Sequence, residues 1–256
     1  NGFSAIDRTN PSNVTNLTEG EEAEKIFAME MVNGVIYGYD DAGNFFTTSA
    51  EAGFQRDYLG GHGMEVQEPY DEIKNFGSYV YYYTYTPKFT VRDVAWDAST
   101  GRLLALGCYS VIKEYYYVQT STGAASAPYA EELEAVGGCA IYEVDLETGA
   151  LTVITNIYTE GGDDYSGVYA MTVTDEGQVY VYSTYMDFIA TINLDTGLTK
   201  NIATFQNLGY YGDSDCHSMA MTYDPVTKNI YVLFTQNGNA YFLFKYNVVT
   251  TMISSM

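Results

Sequence analysis

Short apolar runs broken by tight polar turns recur along most of this chain. Alternation of apolar and polar positions within the runs predicts strands rather than helices. Four stretches share one pattern: an apolar run around a small Ala, a turn, and a second apolar run. They are Phe27 to Met31 before Asn33-Gly34 and Val35 to Tyr37; Val94 to Trp96 before Asp97 to Gly101 and Leu103 to Leu106; Tyr169 to Val173 before Asp175-Glu176-Gly177 and Val179 to Tyr182; and Met219 to Tyr223 before Asp224 to Asn229 and Ile230 to Leu233. Each reads as a hairpin, because Asn-Gly supplies two residues at positive φ and Asp-Pro presets the start of a turn. A second hairpin follows, closed by Asp145-Leu146-Glu147-Thr148-Gly149 and again by Asn193-Leu194-Asp195-Thr196-Gly197. Tyr241 to Asn247 is a degenerate copy.

Two hairpins make a four-stranded antiparallel unit, and its tandem repetition predicts an all-β fold, a β-propeller. The chain resembles the blades of bacterial extracellular propellers whose third and fourth strands are joined by an Asp-x-x-Thr-Gly turn. That resemblance implies an architecture and no particular activity. A β-sandwich is the structural alternative, since short alternating strands are common to both folds. The Ala anchors at 28, 95, 170 and 220 are unevenly spaced, which places insertions at Gly60 to Thr90 and Tyr109 to Gly138 within a single domain spanning 1–256. Phe3 to Asn10 and Val14 to Leu17 read as the outer strands of another blade. About five blades are expected, the last incomplete or closed by strands from both ends of the chain. Helix-compatible composition is confined to Ala130 to Val136, ahead of Gly137-Gly138, and to Glu21 to Lys25.

Composition sharpens this picture in two ways. Tyr dominates the aromatic content, 27 copies against 12 Phe and 1 Trp, and Tyr suits a pleated surface with one end wet. The formal net charge of −22 repels phosphate backbones, so nucleic acid and an anionic membrane surface are excluded as partners, and no apolar run is long enough for membrane insertion. Cations, basic proteins and neutral glycans remain. Of the three cysteines, Cys108 and Cys139 end and begin successive strand-like runs, which brings them together if those strands pair; two small core residues is the other reading. The chain opens on Asn1-Gly2-Phe3 without a basic-then-apolar leader, the pattern expected of a mature or excised piece.

Two groups of residues are candidates for function. In an alternating strand Tyr79, Tyr81, Tyr83 and Tyr85 share one face, and with Tyr115, Tyr116 and Tyr117 they lie in the insertions, where repeat proteins carry binding surfaces. Such a row stacks on sugar rings or anchors a protein; the plain alternative is a buried inserted strand. The loops before the first strand of three units are acidic, and Asp163, Asp164, Asp213 and Asp215 are the carboxylates that suit calcium, against the alternative of a solvated rim. The corresponding stretch of the second unit carries Lys88, Arg92 and Asp93. His62 and His217 are read as structural or surface residues; Cys216 and His217 point to opposite sides of a strand and make no nucleophile-base pair. Asn13 and Asn16 match the glycosylation pattern.

These features lead us to expect a non-catalytic recognition module, extracellular or at the cell surface within a larger protein. Its partner would be a host or neighbouring-cell protein or glycan held by the tyrosines. A metal-dependent hydrolase of lactonase-like propeller type, its calcium at the acidic channel mouth, and a structural spacer are the alternatives.

Overall fold

The computed structural model describes residues 4–6, 14–16, 25–163, 167–183, 188–204, 219–236 and 240–255. They form an all-β propeller. The first blade is β3 (Ile26–Val32), β4 (Val35–Asp40), β5 (Asn44–Ser49) and β6 (Asp57–Gly61), following a separate two-stranded sheet of β1 (Ser4–Ile6) and β2 (Val14–Asn16). The second sheet has five strands: β7 (Tyr70–Phe76), β8 (Tyr79–Asp97), β9 (Arg102–Gln119), β10 (Tyr129–Val144) and β11 (Leu151–Asn156). The third blade is β12 (Val168–Val173), β13 (Val179–Ser183), β14 (Phe188–Ile192) and β15 (Thr199–Thr204). The fourth is β16 (Met219–Asp224), β17 (Asn229–Gln236), β18 (Ala240–Asn247) and β19 (Ile253–Ser255). The named strands all pair antiparallel, and β3 lies beside β8, β8 beside β12, and β12 beside β16. The described residues thus make four complete blades, and the strands expected for a further one pair as β1 with β2. Among the described residues no helix is long and apolar enough to cross a membrane.

Apolar side chains from facing blades fill the spaces between them. Leu104, Leu106 and Ile141 of the second blade meet Met171, Val179 and Val181 of the third, and Tyr180, Tyr182 and Ile189 of the third meet Met221, Val232 and Phe244 of the fourth. Tyr39 and Phe45 of the first blade pack on Phe89, Val91 and Leu103 of the second. Each fully buried side chain of this size removes enough apolar surface to contribute roughly 1.5–3 kcal/mol before entropy is subtracted.

The turns behave as their residues dictate. Asn33 and Gly34 both take positive φ, at 52° and 85°, the mirror-image turn that matches strand twist. In the Asp-x-x-Thr-Gly turn, Asp145 Oδ1 accepts the backbone N–H of Glu147 and Thr148, and Gly149 takes a φ of 75°. Asn193 does the same for Asp195 and Thr196 with Gly197 at 72°, and Asn247 for Val249 and Thr250 with Thr251 at 57°.

The Ala-based alignment of the inner strands holds for β3 and β12 and fails for β8. β3 and β12 carry a register irregularity near the start, beside Phe27 and Tyr169, and β8 carries one beside Arg92, late in its length. Counted from it, Ala28 and Ala170 correspond to Asp93, and Ala95 lies two residues further on. Asp93 is buried, and its carboxylate accepts the N–H of Val94 at 2.9 Å and of Met171, on the next blade, at 2.8 Å. Arg92 donates to the Val168 carbonyl at 2.9 Å and lies 4.2 Å over the Tyr169 ring, so Lys88, Arg92 and Asp93 belong to a strand and not to a loop.

The helix expected at Ala130 to Val136 is instead part of β10. Its partner decides the matter: Glu131 pairs with Lys113 and Leu133 with Val111 on β9, and the ladder overrides local propensity. The Glu21 to Lys25 expectation falls, except for Lys25, outside the described residues. Cys108 and Cys139 are register partners and form a buried disulfide with Cα atoms 4.3 Å apart.

Candidate functional site on the arm of the second blade

β8, β9 and β10 are 19, 18 and 16 residues long, against 5 to 8 for the strands of the third and fourth blades other than β19. Their inner portions, around Val91 to Trp96, Leu103 to Cys108 and Cys139 to Val144, belong to the blade core. Beyond it Tyr79 to Thr86, Val111 to Gln119 and Tyr129 to Leu133 keep pairing, joined by β7, and form an arm. Both predicted insertions are therefore one continuous sheet.

Register sets which side chains share a face. Tyr81 pairs with Tyr117 and Lys74; Tyr83 with Tyr115 and Glu72; Tyr85 with Lys113 and Tyr70; Tyr79 with Gln119 and Phe76; and Tyr129 with Tyr115. Tyr79, Tyr81, Tyr83 and Tyr85 thus share a face, as expected, and the register adds Tyr115 and Tyr117 to it. Tyr116 lies on the opposite face, stacked on Tyr82 with ring centres 4.9 Å apart. Tyr70, Phe76 and Tyr129 join the ladder without having been singled out; the spacing of Tyr70 and Phe76, an even number of residues apart, was the available signal.

The rings run in a continuous series. Tyr81 stacks on Tyr83 at 5.9 Å, Tyr83 on Tyr85 at 6.1 Å, Tyr85 on Tyr70 at 4.9 Å and Tyr115 on Tyr129 at 5.3 Å. From Tyr79 to Tyr85 the series spans ~20 Å at the usual strand rise. Tyr70, Phe76, Tyr79 and Tyr129 are 38–57% exposed, so the row is no buried strand. Lys74 lies 5.5 Å from the Tyr83 ring centre, and Lys113 lies 5.3 Å from Tyr83 and 5.2 Å from Tyr115.

Charge on this face is balanced. Lys74 pairs with Glu72 at 2.9 Å and Lys113 with Glu131 at 2.6 Å, while the Tyr85 hydroxyl donates to Glu72 at 3.2 Å. The hydrogen bond from Lys74 holds the Glu72 carboxyl below its ordinary range, and each Lys is held above its own by its Glu partner. Desolvation, then the bond to Glu72, raises the Tyr85 phenol. Two ammonium and two carboxylate groups cancel, on a chain whose net charge is −22. The opposite face carries Asp71 and Glu114, in register with Thr84.

Of the proposed calcium carboxylates only Asp163 lies among the described residues. Asp163 is exposed in a turn, its N–H donating to Thr159 Oγ1 at 3.2 Å; Asp164, Asp213 and Asp215 lie outside the described residues, as do Cys216 and His217. Among the described residues no group of three His, Cys, Asp or Glu side chains could hold a metal ion. His62 packs on Phe89 at 4.9 Å and its Nδ1 accepts the Met64 N–H, a structural placement in which burial lowers its pKa.

A second feature lies at the C-terminal ends of the inner strands β3, β8, β12 and β16. Met31, Trp96, Val173 and Tyr223, with Glu30 and Asp175, line a cavity of about 180 Å³. Burial raises the Glu30 carboxyl to about 7 against a partly offsetting hydrogen bond from the Met31 backbone. Sequence reasoning passed over Glu30, although a carboxylate stands there where β12 and β16 carry Thr172 and Thr222.

No protein-family model and no curated protein matches the sequence. Among solved structures the chain is similar to regucalcin from Agrobacterium tumefaciens, titled a calcium-binding protein, with a TM-score of 0.42 and 11% identity over 90% of this chain and 73% of that one. It is also similar to the PQQ-bound aldose sugar dehydrogenase of Streptomyces coelicolor, with a TM-score of 0.42 and 11% identity over 94% and 83% of the two chains. A third is an oligogalacturonate lyase in complex with manganese, with a TM-score of 0.38 and 9% identity over 99% and 69%. At these identities the likeness concerns the fold alone. Proteins named as a dehydrogenase and a lyase stand among these similar structures, and the expectation of a non-catalytic chain is withdrawn.

Proposed function

We propose that the arm captures an extended neutral saccharide on its tyrosine face. One observation carries this reading: a ~20 Å series of exposed and half-exposed rings bears balanced charge on a strongly acidic chain. Rings in line suit successive apolar faces of a sugar chain, and a charge-neutral strip neither attracts a basic protein nor repels a neutral glycan. The Cys108–Cys139 disulfide supports an oxidising compartment, as a glycan ligand outside the cell requires. The test is affinity electrophoresis and calorimetry with soluble neutral glucans and xylans. Tyr83→Ala should weaken retention at least about tenfold, the loss of one good aromatic contact, and Tyr116→Ala, on the other face, should leave it unchanged. Equal loss in both variants, or no retention by any neutral glycan, overturns the reading.

Hydrolysis at the channel is a second reading, and Glu30 is the observation that favours it. A carboxyl titrating at about 7 beside a cavity can donate and recover a proton at neutral pH. Nitrophenyl esters and glycosides assayed across pH 5–9 should show an inflection near that value, absent in Glu30→Gln; no turnover of any of them counts against it.

A further inference from the structure

The cavity at the ends of the inner strands has a composition that selects a ligand. Its walls are the Trp96 indole, the Tyr223 ring and the side chains of Met31, Val173 and Pro225, and its polar groups are the hydroxyls of Thr172, Thr174 and Thr222 with two carboxylates. Among the described residues no Lys, Arg or His lines it. The two carboxylates are not equivalent. Asp175 is already matched, accepting from Lys228 Nζ at 2.5 Å and from the Tyr223 hydroxyl at 2.8 Å. Glu30 has the Met31 N–H and, among the described residues, no ion pair.

We propose that this cavity binds a small organic ammonium ion, with Glu30 as its counter-ion and Trp96 and Tyr223 as its aromatic walls. An ammonium supplies the charge that Glu30 lacks, and its hydrocarbon surface suits the rings and the Met31 and Val173 side chains. The threonine hydroxyls accept its N–H groups. A volume of about 180 Å³ is that of roughly six waters in the liquid, room for an ammonium on a short alkyl chain. The groups around Glu30 reinforce the preference. Burial raises the Asp93 carboxyl of β8 well above its ordinary range, Asp175 after β12 is paired with Lys228, and Tyr37 of β4 and Tyr223 of β16 contribute phenol rings and no cation. A neutral sugar would leave the Glu30 charge buried and unanswered.

This inference names a ligand for the same cavity as the hydrolytic reading and does not require turnover. Trp96 is the chain's single Trp, so its fluorescence reports on the cavity directly. Titration with n-butylammonium chloride should give a saturable change that sodium chloride and glucose do not. Because Glu30 must be ionised, affinity should rise about tenfold between pH 6 and 8, from roughly one tenth to nine tenths ionised. Glu30→Gln should weaken binding at least tenfold and abolish that pH dependence, with thermal melts of both proteins confirming that each is folded. A glucose response equal to that of butylammonium, or unchanged ammonium binding by Glu30→Gln, overturns the proposal. Ammonium binding without turnover of any ester or glycoside sinks the hydrolytic reading alone. Turnover that depends on Glu30 without ammonium binding sinks this one alone.

Discussion

Two glycines at the same position of two turns separate backbone conformation from packing. Gly101 and Gly149 take φ of 71° and 75°, so an alanine at either must adopt the left-handed region, at a cost of roughly 1–2 kcal/mol. Their surroundings differ. A Cβ at Gly101 meets nothing within 4 Å, whereas at Gly149 it would lie 2.2 Å from Cβ of Phe45, a fully buried residue of the first blade. The Tyr39 hydroxyl also donates to the Gly149 carbonyl, so this turn of the second blade is held against the first from both sides. Overpacking of that kind adds about 1–3 kcal/mol. Gly101→Ala should therefore lower stability by about 1–2 kcal/mol and Gly149→Ala by about 2–5 kcal/mol. In a chain of this size that is about 2–8 °C and 4–20 °C of melting temperature. Scanning calorimetry of both variants under one buffer measures the difference. Equal midpoints would refute the claim that the turn is wedged between blades, because backbone strain is common to both.

Thr251 occupies the equivalent left-handed position at 57° with a β-branched side chain, so Thr251→Gly should raise the unfolding free energy by about 1 kcal/mol, read from urea titrations. Reduction of Cys108–Cys139, or its replacement by two alanines, should cost about 2–4 kcal/mol, read as a lower midpoint with reductant present. The Glu30 carboxyl is raised in the fold from 4.5 to about 7, so between those values the native state binds more protons than the unfolded chain and stability falls as pH rises. Glu30→Gln should be near neutral at pH 4 and stabilising by roughly 3 kcal/mol at pH 8, measured by denaturant titration at both. The opposite pH order would mean that Glu30 is not desolvated.

The blade grammar was legible because turn chemistry is local: Asn33-Gly34 and the Asp145 and Asn193 turns need only their own residues to close. The face shared by Tyr79, Tyr81, Tyr83 and Tyr85 was legible for a similar reason, since strand period fixes it. What depends on a partner strand was not. Ala130 to Val136 has helical composition and becomes a strand because β9 continues beside it. Tyr116 was grouped with its neighbours until register put it on the other side. Asp93 was assigned to an acidic or basic loop, whereas the irregularity beside Arg92 moves it into the small-residue position and points its carboxylate at Met171. Glu30 carried no motif at all, and its significance comes only from four strand ends converging around it.

The long strands have a mechanical consequence. β8 and β9 pass from the blade core into the arm without a break in their pairing to each other other than the shift near Arg92, so a pull on the far end of the arm loads their ladder in shear. β10 is the weaker link, for its pairing with β9 is interrupted between Glu134 and Cys139. The Cys108–Cys139 bridge sits at the blade side of that interruption. Tension travelling down β10 would therefore meet a covalent tie just where the hydrogen-bonded one lapses, and the base of the arm is anchored in the body of the propeller.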